Sequence, residues 1–290
     1  MATQLQHGFF NGEILPLADI RLSPLDRGFL FGEGVYEVIP VYAGAPLGLD
    51  RHLARLKRSL AQIALPCPLS DAALVAMVAD LIRANGGGDL SIYLHFTRGV
   101  SRSVRNHVYP EQAEPTVFGM CQTLDPREPG VARDGVAAVT LPDLRWARCD
   151  IKATSLLANT MAREHARAEG AAEAILTRDD YVTEGAASSV FAITDGVVTQ
   201  PPPDPAILPG TTAAFVAALL DDASIEWRYA DLPVDALRRA DEVWLASSTR
   251  ELLPVTTLDN APVGTGRPGP LWQRVDALYQ DAKTQLEPLS

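Results

Sequence analysis

Lys152 closes the run Trp146-Ala-Arg-Cys-Asp-Ile-Lys152 and stands just before a long helical pattern. A lysine at such a strand-to-helix junction is expected to be partly desolvated. Desolvation disfavours the ammonium and makes the amine a nucleophile near neutral pH. Taken alone, it reads more simply as a solvated lysine. Glu184 ends the stretch Tyr181-Val-Thr-Glu184 and is followed by Gly-Ala-Ala-Ser188-Ser189, small residues that let another group approach closely. A carboxylate buried there needs a cationic partner. A protonated heterocyclic nitrogen would serve, and the plainer alternative is a turn glutamate in water. Other features suit an anion. Ile207-Leu208-Pro209-Gly210-Thr211-Thr212 opens a helix; its first N–H groups have no intrahelical acceptor and its dipole favours negative charge. Ala246-Ser247-Ser248-Thr249 sets hydroxyls in a row at a strand end, and Arg55 lies on an early helix as a planar, multi-donor cation. Ordinary capping, a Ser/Thr turn and a surface arginine would explain each of these separately.

Together they suggest one ligand. A lysine nucleophile, a carboxylate for a pyridinium nitrogen and a phosphate cup are what pyridoxal 5'-phosphate requires. The lysine would hold the aldehyde as a Schiff base. The carboxylate would keep the ring nitrogen protonated, so that the ring accepts electrons. The cup would fix the ring with Lys152 facing the substrate α-proton.

The elements that must position these groups are legible in outline. Asn11-Gly12 reads as a hairpin turn, and Val35–Tyr42 as a buried strand. Asp50 reads as the N-cap of a helix with Leu53, Leu56, Leu60 and Ile63 on one face. Ser70 caps a second helix carrying Leu74, Met77 and Leu81, which stops at Asn85-Gly86-Gly87-Gly88. A strand, Leu90–Thr97, follows that glycine run, so it reads as a C-cap and linker rather than a phosphate loop. Arg98–Glu114 is polar and irregular, and Thr116–Thr123 is a strand. Asp125-Pro-Arg-Glu-Pro-Gly130 breaks both periodicities and reads as a linker. Beyond it come strands at 136–141, 173–177, 181–184, 188–194, 197–200, 225–229 and 242–247, with helices at 155–169, 210–220 and 271–286. The expected division is residues 1–124, a linker 125–130, and a cofactor-binding part 131–290.

With 290 residues, nearly half of them apolar, the chain can bury a sizeable core. A formal charge of -11 argues against a nucleic-acid partner. The apolar runs are too short to span a membrane, and the N-terminus lacks the apolar region of a signal peptide. Cys67, Cys121 and Cys149 form no CxxC pair, which suits a reduced, cytoplasmic protein without a disulfide framework or metal site.

Five short motifs in order carry a family resemblance over nearly the whole chain. They are Leu25-Asp-Arg-Gly-Phe-Leu-Phe-Gly-Glu-Gly-Val-Tyr36-Glu37, His52-Leu-Ala-Arg55-Leu, Arg148-Cys-Asp-Ile-Lys152, Val182-Thr-Glu184-Gly, and Ile207-Leu-Pro-Gly-Thr-Thr212. The chain resembles the fold-type IV pyridoxal-phosphate aminotransferases of class IV, and among them the D-amino-acid transaminases. The resemblance implies an α+β, two-domain enzyme with a smaller N-terminal α/β domain and a larger C-terminal pseudo-barrel domain. It implies that Lys152 is the Schiff-base residue and the acid/base of the 1,3-proton shift, and that Glu184 pairs with the ring nitrogen. Arg55, Thr211, Thr212, Ser247 and Ser248 are then phosphate ligands. Leu208 packs on the ring, Ser188 belongs to the cofactor site, and Tyr36 lies near the cofactor phenolate and the substrate carboxylate.

Substrate choice is expected in Arg98–Pro110. Arg105-Asn-His107-Val-Tyr-Pro110 matches the family's Arg-x-His before an aromatic-proline pair, where the two basic residues trap the substrate α-carboxylate. The side of the ring that receives the carboxylate decides which hydrogen faces Lys152, and so D against L. In the family this loop reaches in from a neighbouring subunit, which implies a homodimer. The expected reaction is ping-pong transfer of an amino group from a D-amino acid of the D-alanine type to 2-oxoglutarate or pyruvate. Branched-chain L-amino-acid transaminases, (R)-amine transaminases and aminodeoxychorismate lyases share the fold as alternatives. Ala186, Ala187 and Ser189 depart from the family's usual Ser and Asn, and Ala213 replaces a common arginine.

Overall fold

The computed structural model describes residues 2–101 and 105–289. It divides into two units. The first comprises Met1–Asp125, Ile151–Ser155 and Leu286–Ser290; the second comprises Pro126–Asp150 and Leu156–Gln285.

Among the described residues, the first unit holds a six-stranded antiparallel sheet. Its strands are β1 (Gln4–Phe10), β2 (Glu13–Pro16), β3 (Gly34–Tyr42), β4 (Ala45–Pro46), β5 (Leu90–Val100) and β6 (Glu114–Thr123), in the order β2-β1-β6-β5-β3-β4. The helices α1 (Arg27–Phe31), α2 (Leu49–Gln62) and α3 (Asp71–Ala84) belong to the same unit. Asn11 and Gly12 turn β1 into β2 with φ 48° and 106°, as their types require. Strand alternation sends Val35, Glu37 and Ile39 into the interior, where Leu53, Leu56 and Leu60 of α2 and Leu74, Met77 and Leu81 of α3 join the same core. Burying each such leucine contributes about 1.5–3 kcal/mol.

The start of α2 and the end of β5 differ from expectation. Gly48, in the left-handed region, precedes α2; Asp50 lies inside the first turn and caps nothing. Strand β5 runs on to Val100 through a bulge at Gly99, so Arg98 is a strand residue. A β-carbon on Gly99 (φ +75°) would stand 1.6 Å from the Glu114 carbonyl oxygen, so no other residue fits there. Of the irregular segment that follows, residues 102–104 lie outside the described residues.

The second unit holds a nine-stranded mixed sheet among its described residues. Its strands are β7 (Val136–Pro142), β8 (Glu173–Arg178), β9 (Tyr181–Gly185), β10 (Ser189–Thr194), β11 (Val197–Gln200), β12 (Trp227–Tyr229), β13 (Glu242–Ser247), β14 (Glu251–Leu258) and β15 (Ala261–Pro262). They run β12-β11-β10-β13-β14-β7-β8-β9, with β15 on β14; β7 is parallel to both β14 and β8, and β12 to β11. Its helices are α4 (Pro129–Asp134), α5 (Leu157–Ala168), α6 (Thr211–Asp222), α7 (Val234–Arg238) and α8 (Pro270–Thr284). The expected linker therefore ends in a short helix, started by Pro129 at its first position. The sequence reading missed α1, α7 and β14; Pro254 hid β14, although it is buried within the strand. The two units together form the α+β architecture expected. No helix among the described residues is long and apolar enough to cross a membrane.

Candidate active site

In the first unit, Ile151–Ser155 runs along β3. Tyr36 N–H donates to the Lys152 carbonyl at 2.9 Å, Thr154 N–H to the Gly34 carbonyl at 3.0 Å, and Lys152 N–H to Ser59 Oγ at 3.2 Å. Ala153 N–H also donates to the Ile151 carbonyl at 2.7 Å, so Lys152 sits at the centre of a tight turn fixed by its own backbone groups, bridged to β3 at Ala153. Its Nζ lies 4.1 Å from the centroid of the Tyr36 ring, a cation–π distance. Tyr36 and Lys152, two of the expected site residues, are thus brought together.

Glu37 points to the opposite face from Tyr36 and is fully buried. Its carboxylate accepts Arg55 Nε and Nη2, each at 2.8 Å, and faces His52 Nδ1 at 2.8 Å. Burial alone would raise the Glu37 carboxyl; the Arg55 guanidinium and His52 outweigh it and hold it down at about 2. Burial pushes His52 below its usual value against the pull of Glu37. Arg55 is thereby fixed in one orientation by a bidentate pair. The sequence did carry a signal for Glu37, a lone acid in an otherwise apolar strand, but nothing in it named the partners.

The expected carboxylate trap lies in this unit too. Phe31, at the end of α1, is its platform. Arg105 stacks its guanidinium 4.6 Å from the Phe31 centroid, and the His107 ring lies 5.4 Å from it. Arg27 covers the same ring at 4.5 Å and donates to the Asn106 carbonyl at 2.9 Å. Asp26 caps α1 by accepting from Gly28 N–H, and also accepts the Thr97 and Thr116 hydroxyls. Arg105 and His107 are both exposed.

In the second unit, buried Glu184 is the penultimate residue of β9. Its Oε1 accepts Arg145 Nη1 at 2.5 Å and Leu208 N–H at 3.2 Å. Arg145 is held in turn by Asp143 through two bonds of 2.9 Å, and Asp143 also accepts the Thr183 hydroxyl. Burial would lower the Arg145 guanidinium, but Asp143 and Glu184 raise it above its ordinary value. The sequence reading missed Asp143 and Arg145; charged residues in a connecting loop carry no pattern. Leu208 links this carboxylate to the start of α6, where Thr211 and Thr212 are buried. Gly210 precedes that helix and no side chain caps it. A β-carbon on Gly185, after Glu184, would meet Ser188 Oγ at 2.1 Å, so a larger residue there would displace the Ser188 hydroxyl. The Ser188 hydroxyl is committed to the fully buried Glu173, at 3.1 Å.

Ser247 and Ser248 lie at the β13–β14 hairpin, where Ser247 pairs with Glu251 across a loop of Ser248, Thr249 and Arg250. A left-handed position in a hairpin turn normally takes glycine. Here it is Glu251, at φ +57°. The left-handed conformation costs a non-glycine residue roughly 1–2 kcal/mol. The Glu251 carboxylate accepts Lys283 Nζ at 2.5 Å, Arg127 Nη2 at 2.7 Å and Gln280 Nε2 at 2.8 Å. Burial would raise this carboxyl, and Lys283, Arg127 and Gln280 bring it down to about 2. Arg250, the residue before Glu251, donates to Glu173 and to the Ala172 carbonyl. Neither Glu173 nor Glu251 was anticipated.

A first test concerns Glu37. Its carboxyl lies near 2 in the folded chain against 4.5 as reference, so its stabilisation is complete above pH 4.5 and is lost as pH falls toward 2. Glu37→Gln, which breaks a buried ion pair, should cost about 3–5 kcal/mol at pH 7. It should also narrow the gap between urea midpoints at pH 7 and pH 3. A gap as wide as in the parent chain would assign the acid sensitivity to other carboxylates.

Residues 34–258 match the amino-transferase class IV family, and the chain belongs to that family. Class IV aminotransferases use pyridoxal 5'-phosphate, so this is a pyridoxal-phosphate-dependent aminotransferase. Among curated relatives, the D-alanine aminotransferase of Bacillus licheniformis is 37% identical over 273 residues, covering 94% of this chain and 95% of that protein. The D-alanine aminotransferase of Staphylococcus haemolyticus is 35% identical over 268 residues, covering 92% and 94%. Among solved structures, the branched-chain amino acid aminotransferase from Escherichia coli superposes with a TM-score of 0.87 at 24% identity, over 98% of this chain and 96% of that one. A fold IV-transaminase from Curtobacterium pusillum gives 0.80 at 30% identity, over 94% and 91%.

The side chains present fit that cofactor. Lys152 supplies a primary amine beside an aromatic face, and Glu184 a buried carboxylate suited to a cationic ring nitrogen. The side-chain-uncapped start of α6 and the hydroxyls of the β13–β14 turn are donors for a phosphate.

Proposed function

We propose that the chain moves the amino group of a D-amino acid, of the D-alanine type, to a 2-oxo acid such as 2-oxoglutarate or pyruvate, in two half-reactions. Pyridoxal 5'-phosphate, when bound, supplies the electron sink and carries the amino group between the two halves. Lys152 binds the cofactor through its amine and moves the proton at the substrate Cα. Glu184 keeps a proton on the ring nitrogen, and Arg145 and Leu208 N–H hold it in place. Arg55, Thr211, Thr212, Ser247 and Ser248 bind the phosphate. Leu208 packs on the ring, Tyr36 lies beside the Lys152 amine, and Ser188 shapes the loop after Glu184.

The observation that carries D-specificity is the pairing of Arg105 and His107 on Phe31, a forked cation and an imidazole presented from one platform. The curated D-alanine aminotransferases support it by likeness. A half-reaction panel tests it: D- and L-alanine, glutamate and leucine and an (R)-amine are mixed with the enzyme and the cofactor spectrum is followed. D-alanine and D-glutamate should change it. A response confined to L-leucine or to the (R)-amine would replace this reading with the corresponding transaminase. Arg105→Ala should cost about 1.5–3 kcal/mol, the value of a hydrogen bond to a charged group, as roughly a 10- to 150-fold fall in kcat/KM for D-alanine. An undiminished value would remove Arg105 from the trap.

The assembly we propose is a cytoplasmic homodimer. Arg105, His107 and Val108 are exposed on the single chain, and the three free cysteines suit a reducing compartment. Sedimentation fitting one 31.2 kDa chain would reject the dimer.

A further inference from the structure

The β13–β14 turn is built against local preference. Glu251 occupies a left-handed position where glycine would sit without strain, and its carboxylate takes donors from Arg127 and from Gln280 and Lys283 on α8. A strained backbone position persists only where its surroundings over-determine it, and such positions gather at ligand clamps. The neighbouring arginine is engaged in the opposite sense. Arg250, the preceding residue, donates to Glu173 and the Ala172 carbonyl. Glu173 in turn accepts the Ser188 hydroxyl, four residues after Glu184. The turn is thus fastened at both of its last two residues, while Ser247 and Ser248 precede the fastenings.

We propose that Glu251 is a positioning residue for cofactor phosphate: it holds the Ser247–Ser248 turn in its ligand-accepting shape before the cofactor arrives. This rests on the reading that Ser247 and Ser248 bind the phosphate. Glycine at 251 would satisfy the backbone but leave the turn free to sample other shapes. Fastening by the carboxylate removes that freedom in advance, so less ordering remains for binding to supply.

Three variants of the full chain test this: Glu251→Gly, Lys283→Gln and, as a check on the underlying reading, Ser247→Ala/Ser248→Ala. Each is freed of cofactor and titrated with pyridoxal 5'-phosphate and with unphosphorylated pyridoxal. The 31P resonance of the reconstituted enzyme is recorded as well. The expected result for Glu251→Gly is at least a tenfold loss of preference for the phosphorylated form, with pyridoxal affinity unchanged and a shifted 31P line. Lys283→Gln, which leaves two of the donors in place, should move the same readouts less; it decides the matter if the glycine variant does not fold. A preference retained in both, or equal weakening for the two ligands, would overturn the proposal. If the double serine variant also keeps the preference, the phosphate assignment itself is at fault. If that variant loses it and the Glu251 and Lys283 variants do not, only the positioning role fails.

Discussion

Lys152→Ala should abolish the visible absorption of the cofactor bound through this amine. It should also slow D-alanine turnover by at least about 10²–10⁴-fold, the range of a positioned general acid–base group. The expectation follows from the segment's construction. Backbone bonds from Tyr36 and to Ser59 fix Lys152 at both its carbonyl and its N–H, so the amine leaves from a rigid base above the Tyr36 ring. Replacing the side chain leaves those bonds intact, and the fold should survive. Unfolding midpoints near the parent's, with an unchanged spectrum, would show that the cofactor is attached elsewhere.

Glu184→Gln should slow the cofactor spectral change on mixing with D-alanine by on the order of 10²–10³-fold, the cost of losing one preorganised electrostatic contact in a site. Cofactor retention should change little. Glutamine can still accept from Arg145 and from Leu208 N–H, so the position survives. What is lost is the charge that matches a protonated ring nitrogen. A variant as fast as the parent would mean that the nitrogen has another partner. A variant that also sheds its cofactor would mean that Glu184 acts in binding.

Lys152 and Glu184 are visible in the sequence because each interrupts a local pattern, and the five ordered motifs reinforce them. Glycine and asparagine marked the turns at 11–12 and 86–88, and leucine spacing marked α2 and α3, since these follow from short-range sterics and one-sided burial. The supporting charges were hidden for a physical reason. Glu37 meets Arg55 across 18 residues, Arg145 meets Glu184 across 39, and Glu251 meets Arg127 across 124. Such pairs depend on which strands become neighbours, and no spacing rule along the chain encodes that. Pro254 inside β14 misled for the same reason, because its place in the sheet is set by partners remote in sequence.

The chain's path between its units has a practical outcome. Residues 151–155 are grouped with the opening 125 residues although the segments on either side of them belong elsewhere. A gene divided at residue 125 would therefore put the key amine on the fragment that lacks its sheet. Shuffling halves between homologues at that point would pair each lysine with a foreign β3, so recombination within the family should tolerate exchange there only when the five-residue insert travels with the first half.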